Sequence, residues 1–377
     1  MHDKRPHLLF LVTEDWFFCS HFLDRAVAAR TAGYRVSVAT RVDRHGERIT
    51  AHGLGLIPLR LERRGINPLR ELRAVAELLR IYRSSKPDIV HHVALKPILY
   101  GTLAAKMAGV PHIVNAPVGM GYAFSSRRLL ARLLRPAIIL AYRWLMNPGN
   151  SCVVFENPDD RQWLSQLGIV DAGRTRLIRG AGVNLDLFAA TGEPAGNPVV
   201  VLPARMLWDK GIGEFVAAAA MLRQSGVAAR FVLAGERDAG NLAAIPLAQL
   251  ERWHAEGIVE WIGHQDDMPR VLASAHIVCL PSYREGLPKA LIEAAAGGRP
   301  IVTCDVPGCR EVVRDEENGL LVPPHDVAGL AAALRRLIEQ PALRARMGRR
   351  GRAIAAAEFS VQQVNSETLA LYQTLLS

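Results

Sequence analysis

The sequence predicts an α/β protein built from two doubly wound, Rossmann-like domains. A chain of 377 residues is too long for one small core. Short apolar runs alternate with helical patterns, which is typical of βαβ units in a parallel sheet covered on both faces. This alternation stops in a turn-rich passage over residues 179–198 and then starts again. We expect that passage to be the linker between the two domains.

The first half of the chain contains six expected strands separated by helix-like segments. Each expected strand is a short apolar run. The strands are expected at Leu8–Val12, Val36–Thr40, Ile57–Leu61, Asp88–Val93, His112–Asn115 and Cys152–Phe155. Helices are expected at Ser20–Ala32, Leu69–Arg83 and Tyr100–Ala108.

The second half repeats the pattern with six further strands. A helix is expected over Leu287–Ala296, and the domains are predicted at 1–185 and 186–359, followed by a final helix at 360–377. The strands are expected at Val199–Pro203, Phe231–Ala234, Val259–Gly263, Ile277–Leu280, Ile301–Thr303 and Leu320–Val322.

Charge is unevenly distributed along a chain of ordinary globular composition. The net charge is +10, and residues 1–200 hold 27 Lys and Arg against 16 Asp and Glu. Residues 89–155 hold seven basic residues and no acidic one. A basic half is compatible with nucleic acid, a membrane or an anionic substrate. Because no nucleic-acid-binding motif accompanies it, an anionic membrane surface and a phosphorylated lipid are the favoured partners.

The cysteines and the first residues indicate a reducing compartment. Five cysteines, an odd number, lie mostly in apolar runs, so we expect buried thiols without disulfides. Cys304 and Cys309 lack a second pair of ligands, so no metal site is expected. The apolar run before Glu14 is short and predicts a first strand, not a signal peptide. No stretch reaches ~18 uninterrupted apolar residues, so no transmembrane helix is expected.

The segment after the expected strand Ile277–Leu280 has the features of an anion site. Glu285 to Lys289 form the turn at a helix N-terminus, where unpaired N–H groups and the helix dipole favour an anion. Glu285 in this turn and Glu293 two helical turns later can each accept hydrogen bonds from hydroxyls. Together these features predict a sugar-nucleotide site. The alternative is one glutamate stabilised by the helix dipole and one solvated glutamate.

Arg205 and Lys210 follow the first expected strand of the second half. A guanidinium offers phosphate a planar fork, and an ammonium adds a compact charge. Cleaving a sugar from a nucleotide leaves a diphosphate with extra negative charge, which preorganised cations stabilise in the transition state. The alternative is a solvated pair on the surface.

These motifs resemble a known family. Glu285 and Glu293, spaced E-x7-E, resemble the motif of the retaining GT-B glycosyltransferases of family 4. Gly298 to Glu311 is also similar to that family, and Pro203 to Gly211 resembles its Arg-x4-Lys-Gly phosphate signature. The resemblance is strongest over about residues 180–350. It is closest to the capsule, O-antigen and lipid-linked oligosaccharide branch.

The resemblance implies a GT-B fold, with two domains facing a central cleft and a final helix that crosses back to the first domain. It implies that Glu285 contacts the donor sugar and that Glu293 holds the ribose. Arg205, Lys210 and Glu285 are the expected catalytic residues. For Asp266 and Asp267, capping of the next helix is favoured over contact with the ligand. The expected donor-binding residues are Glu293, Gly286, Leu287, Pro288, Gly263 and His264.

The first half departs from the family pattern. Val118 stands where relatives often place a sugar-contacting histidine before Gly-x-Gly. The candidate contacts to sugar or acceptor are His92, Lys96, Gly119, Gly121 and His21. The alternative for His92 is a core histidine with satisfied hydrogen bonds, and the alternative for His21 is an ordinary histidine at a helix start.

The stretch Ser125–Met146 is apolar with several arginines on one side. A basic amphipathic helix of this kind can lie in a membrane surface. The alternative is a core helix whose arginines reach out to water. The expected membrane contacts are Arg127, Arg128, Arg132, Arg135 and Trp144.

Together these features predict a retaining, metal-independent glycosyltransferase without a cofactor. It is expected to move a hexose or N-acetylhexosamine from a UDP-linked nucleotide sugar to a lipid-linked saccharide. The expected location is the cytoplasm, peripherally on the inner face of the plasma membrane. The alternatives are a non-catalytic membrane-associated scaffold and a nucleotide-sugar phosphorylase or epimerase. An NAD-dependent enzyme is disfavoured, because Gly-x-Gly-x-x-Gly is missing after the first strand.

Overall fold

The computed structural model describes residues 5–61, 67–118 and 139–377. The chain divides into two compact units. The first consists of Met1–Ala181 together with Gln362–Ser377, and the second of Gly182–Val361. The final segment therefore belongs to the first unit.

The first unit contains a seven-stranded, all-parallel sheet with the strand order β3-β2-β1-β4-β5-β6-β7. The interior strand β1 is buried over all eight residues. The last strand, β7, is three residues long and was not predicted. The strands are β1 (His7–Glu14), β2 (Arg35–Arg41), β3 (Gly55–Pro58), β4 (Ile89–Val93), β5 (His112–Ala116), β6 (Ser151–Phe155) and β7 (Thr175–Leu177).

Helices of the first unit connect these strands. The predicted helix Ser20–Ala32 is in fact two helices that meet at Phe22. Residues 139–145 are also helical. The other helices are α1 (Asp15–His21), α2 (Leu23–Thr31), α3 (Gly46–Ala51), α4 (Pro68–Ser85), α5 (Leu95–Ala108) and α6 (Pro158–Gln166).

The second unit contains a six-stranded, all-parallel sheet with the strand order β10-β9-β8-β11-β12-β13. Strands β8 and β11 have the predicted bounds, and the remaining four lie within three residues of the predictions. The strands are β8 (Val199–Pro203), β9 (Arg230–Ala234), β10 (Glu260–Trp261), β11 (Ile277–Leu280), β12 (Ile301–Cys304) and β13 (Gly319–Val322).

Helices follow the strands of the second unit, as expected for right-handed crossover connections. The helices are α7 (Ile212–Gln224), α8 (Leu247–Ala255), α9 (Met268–Ala273), α10 (Lys289–Ala296), α11 (Cys309–Val312), α12 (Val327–Glu339) and α13 (Pro341–Glu358), and the chain ends in α14 (Val361–Leu376).

Helix α10 is the most deeply buried helix near the predicted site. Its residues Leu291 and Ile292 are fully buried, and each such side chain contributes about 1.5–3 kcal/mol by leaving water. Helix α13 packs against the end of α10 through Gly348. A Cβ on Gly348 would lie 2.0 Å from the carbonyl oxygen of Gly298, so only glycine permits this approach.

The five cysteines are buried and form no disulfide, as predicted. Burial raises the pKa of the Cys19 thiol to about 11 and that of Cys304 to about 12. These thiols therefore stay protonated at neutral pH and are unreactive. Among the described helices, none combines the length and the apolar character needed to cross a bilayer.

Candidate active site

Three predicted charged residues of the second unit lie beyond one edge of its sheet. Strands β8 and β11 are neighbours although they are not consecutive, so the strand order reverses between them. Ligands of open α/β sheets bind at the carboxyl ends of strands at such a reversal. Arg205 and Lys210 follow β8, and Glu285 follows β11. The fold therefore places all three side chains beyond the same edge.

Lys210 and Glu285 form an ion pair at this edge. Lys210 Nζ donates to Glu285 Oε1 at 2.6 Å, and the two side chains are only 19% and 12% exposed. The next residue, Gly211, has φ +70°, and a Cβ there would lie 2.0 Å from the carbonyl oxygen of Pro281. Glycine is thus required for the backbone of the Lys210 segment to touch the backbone of the Glu285 segment.

Arg205 also has a carboxylate partner. Its Nη1 donates to Asp238 Oδ2 at 2.8 Å, and both side chains are partly exposed. Asp238 lies in the loop Gly235–Asn241 after β9. Sequence reasoning did not select Asp238, because the residues of this loop alone do not show which side chain returns towards Arg205. Both predicted phosphate-binding cations are therefore held by carboxylates of the second unit.

Glu293 lies on α10 and is 8% exposed. Burial raises the pKa of its carboxyl group, and the Lys289 ammonium, 3.3 Å away, opposes that shift only in part. A buried carboxylate with a raised pKa is costly to keep ionised, which is typical of functional positions. The ribose-binding role of Glu293 stays a prediction.

The residues between Glu285 and α10 differ in part from the prediction. Helix α10 begins at Lys289, two residues later than expected, because Pro288 takes an extended conformation at the cap position. Leu287 is 7% exposed and packs in the hydrophobic core, so its side chain does not line a pocket. Gly308 contacts this turn closely, since a Cβ there would lie 2.4 Å from the carbonyl oxygen of Gly286.

The loop with the predicted donor-binding residues Gly263 and His264 follows β10. Gly263 has φ +68°, and its carbonyl oxygen accepts the Gly235 N–H at 2.8 Å, which joins two loops at this edge of the sheet. His264 has a side chain that is 63% exposed and lies 3.2 Å from Asp266. Asp267 accepts the Arg270 N–H at 3.0 Å and caps α9, which confirms the capping interpretation for Asp267.

His92 is not available to a ligand, so the prediction of a sugar contact is wrong. It is fully buried and bonded to Tyr82 Oη at 3.1 Å and Asn115 Oδ1 at 2.9 Å. Burial lowers its pKa to about 4, so the ring is neutral at physiological pH. His91 is also a core group and lies 2.6 Å from Tyr372 Oη. The core interpretation of His92 is confirmed.

The two other described candidates of the first unit have local partners. Lys96 Nζ donates to Glu71 Oε1 at 2.8 Å, and both side chains are largely buried. His21 is the last residue of α1, so the prediction of a helix-start position was wrong. Its ring stacks on Phe17 with centroids 4.2 Å apart.

The predicted membrane segment is described only at its end. Trp144 is 68% exposed, as a surface contact requires, whereas Tyr142 is buried. Arg143 Nη2 donates to the Leu167 carbonyl oxygen at 2.8 Å, so this arginine is tied to its own unit. Six predicted residues lie outside the described ranges: Gly119, Gly121, Arg127, Arg128, Arg132 and Arg135.

Asp15 is a buried carboxylate that sequence reasoning missed. It directly follows β1 and is fully buried, which an acid at the end of an apolar run could have signalled. Its oxygens accept the N–H groups of Asp43 and His45 at 2.8 Å each. Burial acts to raise the pKa of Asp15, but these backbone donors outweigh it and hold the pKa below its ordinary value. Asp15 therefore organises the loop before α3.

The residues that the structure describes contain no cluster of side chains suited to bind a metal ion. No three His, Cys, Asp or Glu side chains there are grouped closely enough to hold an ion. What the site offers instead is two cations, a helix N-terminus and two carboxylates at one sheet edge. Two doubly wound units and such a site define a protein of the GT-B class.

Comparisons with known proteins identify the family. Residues 197–340 match the family described as "Glycosyl transferases group 1", and residues 7–157 match "Glycosyl transferase 4-like". The chain belongs to the group 1 glycosyltransferases, and it is a glycosyltransferase.

Individual relatives agree with this assignment. The chain is 27% identical over 354 residues to N,N'-diacetylbacillosaminyl-diphospho-undecaprenol alpha-1,3-N-acetylgalactosaminyltransferase of Campylobacter jejuni, covering 90% of this chain and 91% of that one. It is 25% identical over 297 residues to an Escherichia coli UDP-Gal:alpha-D-GlcNAc-diphosphoundecaprenol alpha-1,3-galactosyltransferase, covering 74% of each. The structure of Anabaena HepE in complex with UDP and glucose superimposes with a TM-score of 0.79 at 20% identity, over 97% of this chain and 99% of HepE.

Proposed function

We propose that this protein moves a hexosyl or N-acetylhexosaminyl group from a UDP-linked sugar to a lipid-linked saccharide in the synthesis of a surface polysaccharide. The observation that carries the proposal is the Lys210–Glu285 pair beside Arg205 at the carboxyl edge of β8 and β11. The Escherichia coli relative is named for a UDP-sugar donor, and both bacterial relatives are named for diphospho-undecaprenol acceptors. These names support the proposed donor and acceptor classes.

In the proposed reaction, Lys210 and Arg205 exchange their carboxylate partners for the donor diphosphate. Both cations already lie at the sheet edge, so they stabilise the negative charge that develops on the leaving diphosphate. Glu285 is then released from Lys210 and can accept hydrogen bonds from the donor sugar. Glu293 holds the ribose.

Catalysis in this proposal comes from positioning and phosphate stabilisation without a metal ion. The leaving diphosphate takes the proton of the acceptor hydroxyl, and the sugar is transferred with retention of its anomeric configuration. A glycosidase-type mechanism needs two carboxylates flanking the bond, as nucleophile and acid. Glu293 is buried, paired with Lys289 and assigned to the ribose, so Glu285 has no second carboxylate partner for such a mechanism.

The proposed acceptor places the protein on the cytoplasmic face of a membrane as a peripheral protein. The basic first half and exposed Trp144 support this location. Changing Arg127, Arg128, Arg132 and Arg135 to Gln should weaken co-sedimentation with anionic vesicles. A matched control removes the same charge from exposed arginines of the second unit, Arg230, Arg346, Arg349 and Arg350. Equal partition of both variants would contradict this part of the proposal.

The experiment that tests the proposed function supplies UDP-sugars with a polyprenyl-diphosphate saccharide and detects the product by mass spectrometry. We expect one UDP-sugar to extend the acceptor by one residue, with retained configuration by NMR and undiminished rate in EDTA. Sugar phosphate or an epimerised sugar formed without acceptor would instead identify a phosphorylase or an epimerase. Folded protein that binds no nucleotide would identify a scaffold.

A further inference from the structure

A cluster of three side chains lies beside the Lys210–Glu285 pair in the second unit. Tyr283 Oη donates to the Glu214 carboxylate, 2.7 Å from Oε1 and 2.8 Å from Oε2. His325 Nδ1 lies 3.2 Å from Glu214 Oε1, and its ring centroid is 4.0 Å from that of Tyr283. We call these residues the Tyr283–Glu214–His325 cluster.

The cluster joins three connections that all begin at carboxyl ends of parallel strands. Tyr283 lies between β11 and α10, Glu214 lies in the first turn of α7 after β8, and His325 lies between β13 and α12. These strands form the sheet that carries the site. Side chains from separate connections therefore meet at the edge where the donor is proposed to bind.

Tyr283 holds the Lys210 segment at two points. Its backbone N–H donates to the Asp209 carbonyl oxygen at 3.0 Å, and its hydroxyl bonds to Glu214. Asp209 and Glu214 lie on either side of Lys210 in the sequence. Tyr283 itself is two residues before Glu285. One residue thus connects the segment that carries Glu285 to both sides of Lys210.

His325 adds backbone strain to the cluster. Its φ is +67°, a left-handed conformation that non-glycine residues rarely adopt. Such strain persists only where surrounding contacts hold the residue in place, and it is concentrated at functional positions. The contacts of His325 with Glu214 and Tyr283 supply that restraint. Burial and the bond to Glu214 raise the pKa of the Tyr283 hydroxyl, so it remains a donor at neutral pH.

We propose that Tyr283 and Glu214 are positioning residues for sugar transfer, because together they hold the Glu285 segment against Lys210. His325 completes the cluster and restrains the Glu214 carboxylate. The catalytic consequence rests on the proposed function. The structural consequence, mutual support of the two segments, does not depend on the substrate.

The first test measures hydrogen exchange in the free protein with and without Tyr283→Phe. Phenylalanine keeps the ring and removes the hydroxyl. We expect faster exchange in peptides spanning 208–214 and 282–289, with little change elsewhere in the second unit. Unchanged protection of both peptides would overturn the proposal, whether or not the protein transfers sugar.

The second test measures steady-state kinetics with a UDP-sugar. Because small misplacements of reacting groups are costly, Tyr283→Phe should lower kcat about tenfold and change the donor KM less than about threefold. Glu214→Gln keeps an oxygen that accepts the Tyr283 hydroxyl and should retain most of the turnover. Glu214→Ala should resemble Tyr283→Phe, and combining those two changes should add little, since both remove one interaction.

A matched control separates positioning from general stability. Tyr82→Phe removes another buried tyrosine hydroxyl, the one bonded to His92 in the core of the first unit. It should lower the melting temperature without lowering kcat per folded molecule. Equal kcat in wild type and Tyr283→Phe, or additive losses in the double variant, would overturn the proposal. If the wild type extends no acceptor, the proposed function fails, and the exchange experiment still decides whether the cluster supports the two segments.

Discussion

Replacing Lys210 by alanine removes the cation that is paired with Glu285. The Lys210 side chain is 19% exposed, so its surroundings are neither bulk water nor dry interior. At an effective dielectric constant of about 20, two unit charges about 4 Å apart interact by about 4 kcal/mol. If about half a charge develops on the leaving diphosphate, the lost stabilisation is about 2 kcal/mol, or about 30-fold in kcat. We expect a fall in kcat of at least this size.

The assay follows UDP release in the presence of acceptor for wild type, Lys210→Ala and Arg230→Ala. Arg230 is a matched control, because it is a cation of the same unit in an exposed pair with Glu260 at the amino end of β9. Lys210→Ala should also lower the free energy of unfolding by about 1–3 kcal/mol, since it leaves Glu285 without its partner. A kcat within about threefold of the wild type, with the loss confined to donor KM, would refute transition-state stabilisation by Lys210.

Two further variants test the site and its turn. Burial raises the pKa of Glu293, so wild-type stability should fall as the pH rises through that folded-state pKa. At pH 7, Glu293→Gln should therefore unfold at a urea concentration equal to or higher than that of the wild type. The variant should lose this advantage near pH 4. A variant less stable than the wild type at pH 7 would contradict the reasoning. Gly308 has φ +80°, and a Cβ there would lie 2.4 Å from the Gly286 carbonyl oxygen. Gly308→Ala should therefore lower the free energy of unfolding, measured in urea, by about 2 kcal/mol or more. A Cβ at Gly192 would meet open space, so Gly192→Ala should change the free energy of unfolding little. Equal losses of stability in Gly192→Ala and Gly308→Ala would contradict the packing argument.

Most of the fold was predictable from local sequence. Strands β8 and β11 are apolar runs bounded by turn residues, and both have the predicted bounds. The break at Phe22 was not predictable, because the apolar pattern of the sequence continues through it. Strand β7 was missed because three residues are too few to show a period.

The orientation of His92 was not predictable for a different reason. Strand β4 is buried on both faces, so its sequence does not alternate and does not show where a polar side chain points. Asn115 and Tyr82, which satisfy the His92 ring, come from β5 and α4. Only tertiary structure brings these groups together.

The candidate site also contains residues that were predictable from the sequence and residues that were not. Lys210 and Glu285 were predictable because short motifs carry them, and the fold then brings the two side chains to 2.6 Å. Asp238 and Glu214 were missed, because a side chain that returns from another loop leaves no local signal. The roles of these residues towards a bound donor stay predictions.

The central claim is that the carboxyl edge of β8 and β11 binds the diphosphate of a nucleotide-sugar donor. Isothermal titration calorimetry with UDP, GDP and ADP tests it most directly, using wild type, Lys210→Ala and Arg230→Ala. We predict saturable binding of UDP by the wild type and by Arg230→Ala, and binding at least about tenfold weaker by Lys210→Ala. Folded wild-type protein that binds none of the three nucleotides, or equal affinity in Lys210→Ala, would contradict the claim.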